Sequence, residues 1–433
     1  MKKKIFSCIL ALCMLFTLAA CVTEAPPAGG GGGGGAQQQQ PPAGGGGGQA
    51  QQPAGGGDTT PAVTEAFPGV IAIVTNDVSQ NEEEFRSAEA LVAKYGEDKV
   101  IHRTWPVNFV QEGEQMITIV QAIAENRDVR ALIINQAVVG TNAAVDKLLE
   151  FRDDVFIVYC SPAETPADVS ARANLLLNTN DPLRGVTIVE QAVAMGAEVI
   201  AHYSFPRHMG MVNLAARRDV MRETAERLGV EFVELPAPDP TGPDGIPGTQ
   251  QFILEDVPRQ VAELGRNTAF FATNCAMQTP LQIQVIETRA IYPEPCCPSP
   301  YHAFPGVLGI PDRIYDGSNM VDGNDVGRMR SIEELVVDIR TELTARGAAG
   351  RLATWPIPAS MMWTTVGAEY AIKWLNGEAP QGREVSYDLL GQLMSEYMYE
   401  LTGEYIGVEL NTFSVQGRSF QNYVLGIIGS LVF

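Results

Sequence analysis

Runs of apolar residues alternate with amphipathic segments along most of the chain. The run GVIAIVT, Gly69 to Thr75, is continuous and rich in β-branched residues, as in a buried strand. The segment that follows it places five apolar residues on one helical face: Phe85, Ala88, Leu91, Val92 and Tyr95. Ser79 and Glu82 have the spacing of a capping box, and Gly96 is placed to end this helix.

The same order of strand and helix then repeats. KVIHRTW, VRALIINQ and VFIVYC are the next predicted strands, separated by predicted helices at about 112–126 and 142–151. Strands that are apolar throughout and alternate with helices predict a parallel sheet covered on both faces. A second series begins near Asp181, a predicted N-cap with Pro182 at the first helical position, and includes helices at about 249–264 and 361–375. The closing YVLGIIGSLVF is too short to span a membrane and is predicted to be a strand.

The N-terminal part of the chain has a different pattern. Three lysines precede an apolar stretch at 5–20, and the small residues Ala19 and Ala20 stand directly before Cys21, which is the pattern of a secretory signal with its cleavage site. Leu18 to Cys21 resembles the lipobox of bacterial lipoproteins, which implies a lipid on Cys21. An ordinary signal peptide with an incidental cysteine is the alternative. Residues 22–66, mostly Gly, Gln, Pro and Ala, are predicted to be a disordered tether.

Charge and cysteine content narrow the possible partners and the compartment. The chain has 30 Lys and Arg against 51 Asp and Glu, a net charge of -21, so it repels phosphate backbones and anionic lipids. We therefore expect no nucleic-acid partner, and a membrane contact through lipid alone. After the signal and Cys21, four cysteines remain: Cys160, Cys275, Cys296 and Cys297. Outside the cytoplasm they can pair in three ways, and the sequence does not choose among these.

A lipobox, a tether and two successive α/β series together resemble the type I periplasmic-binding-protein superfamily. The runs GVIAIVTNDVSQNEEEF and ALIINQAVVGT and the terminal NYVLGIIGSLVF are similar to an uncharacterised family of bacterial lipoproteins with that fold. The resemblance implies two Rossmann-like lobes, with parallel sheets flanked by helices, hinged around a cleft. We predict the N-terminal lobe at 67–180 and the C-terminal lobe at 181–300. Residues 301–433 are predicted to be an irregular loop, helices and strands that return across the lobes and hinge.

In open α/β sheets, ligands bind beyond the carboxyl ends of the strands, so the polar and aromatic residues at those ends are the candidates for ligand contact. The candidate ligand-binding residues are Asn76, Asp77, Ser79, Asn135, Gln136, Ser161, Tyr203, Ser204, Phe205, Arg207, His208, Asn274 and Gln278. Amides and hydroxyls dominate this set, which favours a neutral polar ring compound such as a nucleoside or sugar. His202 is expected to be a buried strand residue. The sugar-binding members of the superfamily place an Asp and Arg pattern at the cleft, and the sequence shows no clear counterpart.

Enzyme chemistry and cofactors have little support in the sequence. HExxH, GxSxG, Walker A and GxGxxG motifs are absent in a confirming context, and we predict neither a catalytic residue nor a cofactor. Cys296, Cys297 and His302 are the one combination suited to a soft metal, but their spacing is not a recognised motif, so no metal site is predicted.

The resemblance implies a lipid-anchored extracytoplasmic solute-binding protein that closes on a small polar ligand and delivers it to a membrane permease of the ABC type. A sensor that presents its closed form to a membrane receptor is the alternative, and a surface hydrolase is a third possibility. An enzyme would turn over what it binds, whereas a binding protein returns it intact.

The anchor gives the first testable prediction. Cys21→Ser removes the acylated thiol, so we expect the variant to leave the membrane fraction and appear in the soluble fraction. Cys13→Ser is the matched control, because that cysteine leaves with the signal. Fractionation followed by immunoblotting measures both. A Cys21→Ser protein that still sediments with membranes would contradict the lipoprotein assignment.

Overall fold

The computed structural model describes residues 66–433, except 312, 319, 322, 323 and 326. Cys21, the predicted signal peptide and nearly all of the predicted tether lie outside the described residues. Within the described part of the chain, no helix is both long enough and apolar enough to cross a bilayer.

The elements of the chain follow one another in three groups. The first group is β1 (Val70–Thr75), α1 (Glu82–Tyr95), β2 (Val100–Thr104), α2 (Gly113–Glu125), β3 (Val129–Asn135), α3 (Thr141–Leu149), β4 (Phe156–Cys160), α4 (Pro166–Arg172) and β5 (Leu175–Thr179). The second group is α5 (Asp181–Ala194), β6 (Val199–Ser204), α6 (Pro206–Met209), α7 (Val212–Leu228), β7 (Glu231–Pro236), α8 (Gly245–Leu264), β8 (Thr268–Ala272), a 3-10 turn (Cys275–Met277), α9 (Gln278–Thr288), α10 (Phe304–Leu308), β9 (Arg313–Ile314), β10 (Met320–Val321), β11 (Asn324–Asp325), β12 (Arg328–Met329), α11 (Ile332–Ala345) and β13 (Ala353–Thr354). The third group is α12 (Ala359–Leu375), α13 (Tyr387–Thr402), β14 (Glu409–Val415), β15 (Arg418–Ile427) and β16 (Leu431–Val432).

The first lobe is built on a seven-stranded sheet in the order β14-β15-β5-β4-β3-β1-β2. Its strands pair in parallel except at the edge, where β14 runs antiparallel to β15. The central strands β4 and β5 are buried along their whole length, which explains why their sequences are apolar throughout. One face packs on α1, α12 and α13, and the other packs on α2 and α3.

The second lobe is built on a parallel sheet in the order β7-β6-β8. Helices α5 and α7 pack together, and the apolar residues of both form one core cluster with residues of β6 and β8. On the opposite face, α8 and α9 pack with α11 in a second cluster. The fold class predicted from the sequence, two α/β lobes with parallel sheets flanked by helices, is confirmed.

The chain passes between the two lobes at several places. It leaves the first lobe between β5 and α5, returns between β13 and α12, and leaves again between β15 and β16, which pairs with β13. The backbone amide of Asn180 donates to the carbonyl oxygen of Gly426 at 2.8 Å, so the first of these passages is tied to the end of β15. The closing segment contains two strands rather than the predicted one: the end of β15, which lies inside the first-lobe sheet, and the short β16, with residues 428–430 between them.

Two helix starts differ from the sequence prediction. Asn81, not Ser79, caps α1, and its side chain accepts from the backbone amide of Glu84. Ser79 instead donates its backbone amide to the Asp77 carboxylate at 2.9 Å, so it belongs to a preceding turn. Asn180, not Asp181, caps α5. Both corrections arise because neighbouring residues with short polar side chains compete for the same cap, and sequence spacing alone does not separate them.

Close packing of α5 on α7 yields a prediction about stability. A Cβ atom on Gly185 would lie 2.7 Å from the backbone oxygen of Arg217 and 2.8 Å from a side-chain carbon of Val220. Gly185→Ala must therefore separate the two helices, and we expect the free energy of unfolding to fall by about 1 to 3 kcal/mol. Gly391→Ala in α13 is the control, because nothing lies within 4 Å of its added methyl group. It should raise the free energy of unfolding by about 1 kcal/mol or less. Urea unfolding of both variants measures these changes, and equal effects would contradict the packing argument.

Candidate functional site

A cleft lies where the carboxyl ends of the strands of both sheets meet. It contains about 1120 Å³ of empty space, part of it open to solvent. The residues after β1, β3 and β4 line it from the first lobe, and residues after β6 and β8 line it from the second. This is the position at which open parallel sheets bind ligands.

The first-lobe wall combines apolar residues with polar ones, and most of the polar ones are amides and hydroxyls. Asn76 follows β1 and donates from Nδ2 to Oε1 of Gln136 at 3.4 Å, which ties the ends of two neighbouring strands together. The backbone oxygen of Gln136 accepts from the indole of Trp105 at 3.1 Å. Ser161 lies at the end of β4, and Ser360 and Trp363 of α12 complete this wall.

The second-lobe wall contains a cluster of buried charges. One carboxylate oxygen of Asp181 accepts hydrogen bonds from the guanidinium groups of Arg217 and Arg184, the latter at 3.1 Å. Arg184 also donates to Glu294 at 2.8 Å and to the backbone oxygen of Pro295 at 3.0 Å. The four charged residues are each 4% exposed or less, so their charges must be balanced within the protein, and two cations face two anions.

Burial shifts the pKa values in this cluster. It lowers the pKa of Arg217, although Asp181 acts in the opposite direction. It raises the pKa of Glu294, although the guanidinium group of Arg184 acts against it. The ion pairing around Asp181 is therefore what keeps charged groups in a site that water barely reaches.

Arg217 is only partly satisfied by the protein. Its Nη1 donates to Asp181, and its guanidinium lies over the ring of Phe271 at 4.8 Å from the centroid. Its Nε and Nη2 atoms have no hydrogen-bond partner among the described residues, although both are buried. Unpaired donors on a buried cation cost free energy, which an acceptor on a ligand would recover.

Two buried amide oxygens on the cleft wall also lack a hydrogen-bond partner in the part that the structure describes. Oδ1 of Asn76 from the first lobe and Oδ1 of Asn213 from the second have no donor within the described part of the chain. Asn213 is held in place through its Nδ2, which donates to the hydroxyl of Tyr423 at 3.0 Å. The cleft thus presents unmatched donors and unmatched acceptors together.

Part of the ligand-binding set that was predicted from the carboxyl ends of the strands lines this cleft. The predicted residues that line it are Asn76, Gln136, Ser161, Arg207, His208 and Asn274. Arg207 is already engaged, because it pairs with both oxygens of Asp239 at 2.8 Å. The predicted residues that do not line the cleft are Asp77, Ser79, Asn135, Tyr203, Ser204, Phe205 and Gln278.

Several of those residues have structural roles instead. The amide of Asn135 donates to the backbone oxygen of Ser360 and the hydroxyl of Thr364, so it fastens α12 to β3. The hydroxyl of Tyr203 donates to Asp256 at 2.7 Å. Gln278 donates to backbone oxygens at the end of β8. Ser204 bonds to Thr273, and Phe205 packs on the ring of His208.

Sequence reasoning missed the buried charges. Asp181, Arg184 and Arg217 line the cleft, and none of the three is among the predicted ligand-binding residues. Arg184 and Arg217 lie on α5 and α7 rather than at strand ends, whereas Asp181 begins α5 just after β5. The signal that was available is the position of Arg184 and Arg217 on the sheet-facing sides of their helices, where an unpaired arginine is rare.

The histidines differ in their surroundings. His202 is buried in β6, as expected from the sequence, and His208 is buried in the cleft wall. Nδ1 of His208 is 3.1 Å from the hydroxyl oxygen of Thr273. Burial, with the charge of Arg207 nearby, lowers the pKa of His208 to about 3, so this ring is neutral at physiological pH.

Comparison with known proteins places the chain in a family. Residues 70–352 match the model of the family described as "Protein of unknown function (DUF3798)", and the chain belongs to this family. An uncharacterized protein of Treponema pallidum (strain Nichols) is 30% identical over 178 residues, which are 40% of this chain and 80% of the relative. A second uncharacterized protein of the same organism is 32% identical over 162 residues, 37% of this chain and 74% of the relative.

Solved structures are similar in fold. A candidate transcriptional regulator from Clostridium difficile 630 matches with a TM-score of 0.63 and 21% identity over 85% of this chain and all of that one. A solute-binding protein of an ABC transporter from Agrobacterium vitis, with bound D-fucose, matches with a TM-score of 0.46 and 14% identity over 72% of this chain and 92% of that one. The predicted type I periplasmic-binding-protein-like fold is confirmed.

The buried state of His208 gives a prediction about pH. In the unfolded chain the ring takes up a proton below about pH 6.5, whereas in the folded protein its pKa is lowered to about 3. Its contribution to stability is therefore full above pH 6.5 and is lost as pH falls from there toward 3. The free energy of unfolding of the wild type should decline more steeply between pH 7 and pH 4 than that of His208→Asn. Urea titrations at several pH values test this, and parallel curves would contradict it.

Proposed function

We propose that this protein is an extracytoplasmic solute-binding protein that holds a small, neutral, polyhydroxylated ligand, such as a sugar or the ribose of a nucleoside, in the cleft between its lobes. The observation that carries the proposal is the set of unmatched groups on the cleft wall. Arg217 needs acceptors, and the amide oxygens of Asn76 and Asn213 need donors. A hydroxyl group supplies both, because it donates one hydrogen bond and accepts others.

The charge balance of the wall favours a neutral ligand over an anionic one. Arg184 and Arg217 are opposed by Asp181 and Glu294, so the cluster has no net charge to offer a dianion. A guanidinium group beside a carboxylate matches neighbouring hydroxyl groups well, since one can accept from the arginine while another donates to the aspartate. Arg207 offers no free charge either, because Asp239 occupies it.

The ligand would join the two lobes. Asn76 and Gln136 belong to the first lobe, and Arg217 and Asn213 belong to the second. The lobes already touch at the rim, where Nε2 of Gln111 donates to the backbone oxygen of Thr241 at 3.1 Å. A ligand held from both sides would favour the closed arrangement by its difference in affinity for the closed and open forms.

The proposed place of action follows from the N-terminal sequence. A lipid on Cys21 would hold the protein at the outer face of the cell membrane, and the residues between Cys21 and the first lobe would let it reach a permease. The net charge of -21 supports small-molecule binding over binding to nucleic acid. As a binding protein it would release its ligand chemically unchanged, which separates this function from that of a hydrolase.

Ligand screening tests the proposal. Sugars, polyols and nucleosides at 100 times their dissociation constant should raise the free energy of unfolding by about 2.7 kcal/mol, which a thermal-shift assay detects. Arg217→Met removes the unmatched donors and should weaken binding by roughly ten- to hundred-fold, or about 1 to 3 kcal/mol. Gln136→Ala should weaken the same ligand from the opposite wall. Calorimetry measures both variants.

Arg222→Met is the matched control, because this arginine lies on the same helix with its side chain 44% exposed, outside the cleft. It should bind as the wild type does. Circular dichroism of Arg217→Met separates a binding defect from a folding defect. Stabilisation by phosphorylated or dicarboxylate compounds alone, or full affinity in folded Arg217→Met and in Gln136→Ala, would refute the proposal.

A further inference from the structure

Three cysteines and a histidine of the second lobe meet beside the cleft. Cys275 begins the turn after β8, and Cys296, Cys297 and His302 lie in the loop between α9 and α10. The sulfur of Cys275 is 3.3 Å from that of Cys296 and 3.5 Å from that of Cys297, and the last two are 3.8 Å apart. The three sulfurs and a ring nitrogen of His302 all lie within 4.8 Å of one another.

These separations fit a tetrahedral metal centre. Zinc binds thiolate sulfur at about 2.3 Å, so two sulfurs on one tetrahedral zinc ion are about 3.8 Å apart. The separation of Cys296 and Cys297, 3.8 Å, equals that value, and the other two, 3.3 and 3.5 Å, are slightly shorter. A disulfide would join only two of the sulfurs, at about 2.0 Å, and would leave the third thiol and the histidine without a role. All three cysteines are free in the structure.

The histidine is held in the tautomer that a metal ligand needs. Nδ1 of His302 is 2.7 Å from the backbone oxygen of Cys297. A carbonyl oxygen can only accept, so Nδ1 carries the proton and Nε2 keeps its lone pair. A hydrogen bond from the other ring nitrogen to a carbonyl oxygen is the usual support of a histidine bound to zinc.

The surroundings suit thiolate ligands as well. Nδ2 of Asn81, on the first lobe, is 3.7 Å from the sulfur of Cys275 and 4.0 Å from that of Cys297, so it can donate to sulfur from across the cleft. Arg184 donates to the backbone oxygen of Pro295, directly before Cys296. Three thiolates, a neutral imidazole and Zn²⁺ sum to a charge of -1, and the Asn81 amide is a neutral donor directed at that charge.

We propose that Cys275, Cys296, Cys297 and His302 form a site for a zinc ion. Four protein ligands fill a tetrahedral zinc shell, which is the arrangement of a structural site rather than a catalytic one. On binding, the three thiols release their protons to solvent, and the ion fixes the loop at 293–303 to the end of β8. That loop carries Glu294, the partner of Arg184, so the zinc ion also holds one member of the buried charge cluster in place.

Metal titration of the whole chain, kept reduced, tests the site. Cobalt(II) is the probe, because tetrahedral cobalt with thiolate ligands absorbs in the visible and near-ultraviolet, and zinc should displace it with loss of that absorption. We expect saturation at one ion per chain. Cys296→Ser and His302→Asn should each weaken zinc binding by roughly a hundred-fold. Cys160→Ser is the matched control, since this buried cysteine lies in β4 and outside the cluster, and it should bind zinc as the wild type does.

Several outcomes would overturn the proposal. These are the absence of a cobalt spectrum in protein whose thiols all react with a thiol reagent, a disulfide among the three cysteines that persists in the metal-treated protein, and binding of copper(I) without binding of zinc. A loss of affinity in Cys160→Ser equal to that in Cys296→Ser would also contradict it. Circular dichroism of the variants guards against misfolding, and the charge-transfer band of wild-type protein reports ligation whether or not a variant folds.

Discussion

The structure depends most on the hydrogen bonds that Asp181 accepts from two arginines. Asp181 begins α5 directly after the chain has left the first lobe, and its carboxylate gathers Arg184 from its own helix and Arg217 from α7. Removing a single member of a buried charge group leaves its partner uncompensated, which typically costs about 3 to 5 kcal/mol. The carboxylate also lies in the first turn of its helix, where the helix dipole favours a negative charge. This group therefore supports both the packing of α5 on α7 and the second-lobe wall of the cleft.

The cleft combines rigid supports with groups that the protein leaves unsatisfied. Asn76 and Gln136 follow strands of a seven-stranded sheet, and Asn213 and Arg217 lie on a helix packed against the other sheet. Backbone and side-chain contacts fix each of them at one end, such as the bond from Asn213 to Tyr423. Because the groups are already oriented, a ligand would lose less free energy to ordering the site than it would on flexible loops.

The fold could be predicted from the sequence because a parallel sheet that is buried on both faces requires strands rich in apolar residues, and such strands are easy to recognise along the chain. The runs that became β1, β3 and β4 are mostly apolar on both faces, which is the pattern of a strand buried in a parallel sheet between amphipathic helices. The site could be predicted only in part. The strand-end rule gives a position along the chain but not the direction of a side chain, so it found Gln136 and also Asn135, which turns to α12.

What the sequence could not give depends on contacts between distant segments. Arg184 and Arg217 are on different helices, and only the packing of α5 on α7 brings both to one carboxylate. Cys296, Cys297 and His302 could be recognised as a combination suited to a soft metal, but Cys275 is 21 residues from Cys296 along the chain, so no motif spacing connects it with them. Such groups are brought together by tertiary contacts, and the periodicity of apolar residues along the sequence does not reveal these contacts.

The position of β15 has a consequence for how the protein acquires its fold. This strand lies between β5 and β14, yet it follows β5 only after all of the second lobe except β16 has been made. During synthesis the first lobe therefore exposes the edge of β5 until residues 418–427 arrive, and its sheet closes last. Pairing over such a separation is slow, because a long loop must be closed before the strand contacts form. The first lobe thus cannot complete its sheet before most of the second lobe has been synthesised. A chain that pauses before residue 418 holds an incomplete first-lobe sheet in which the edge of β5 is open.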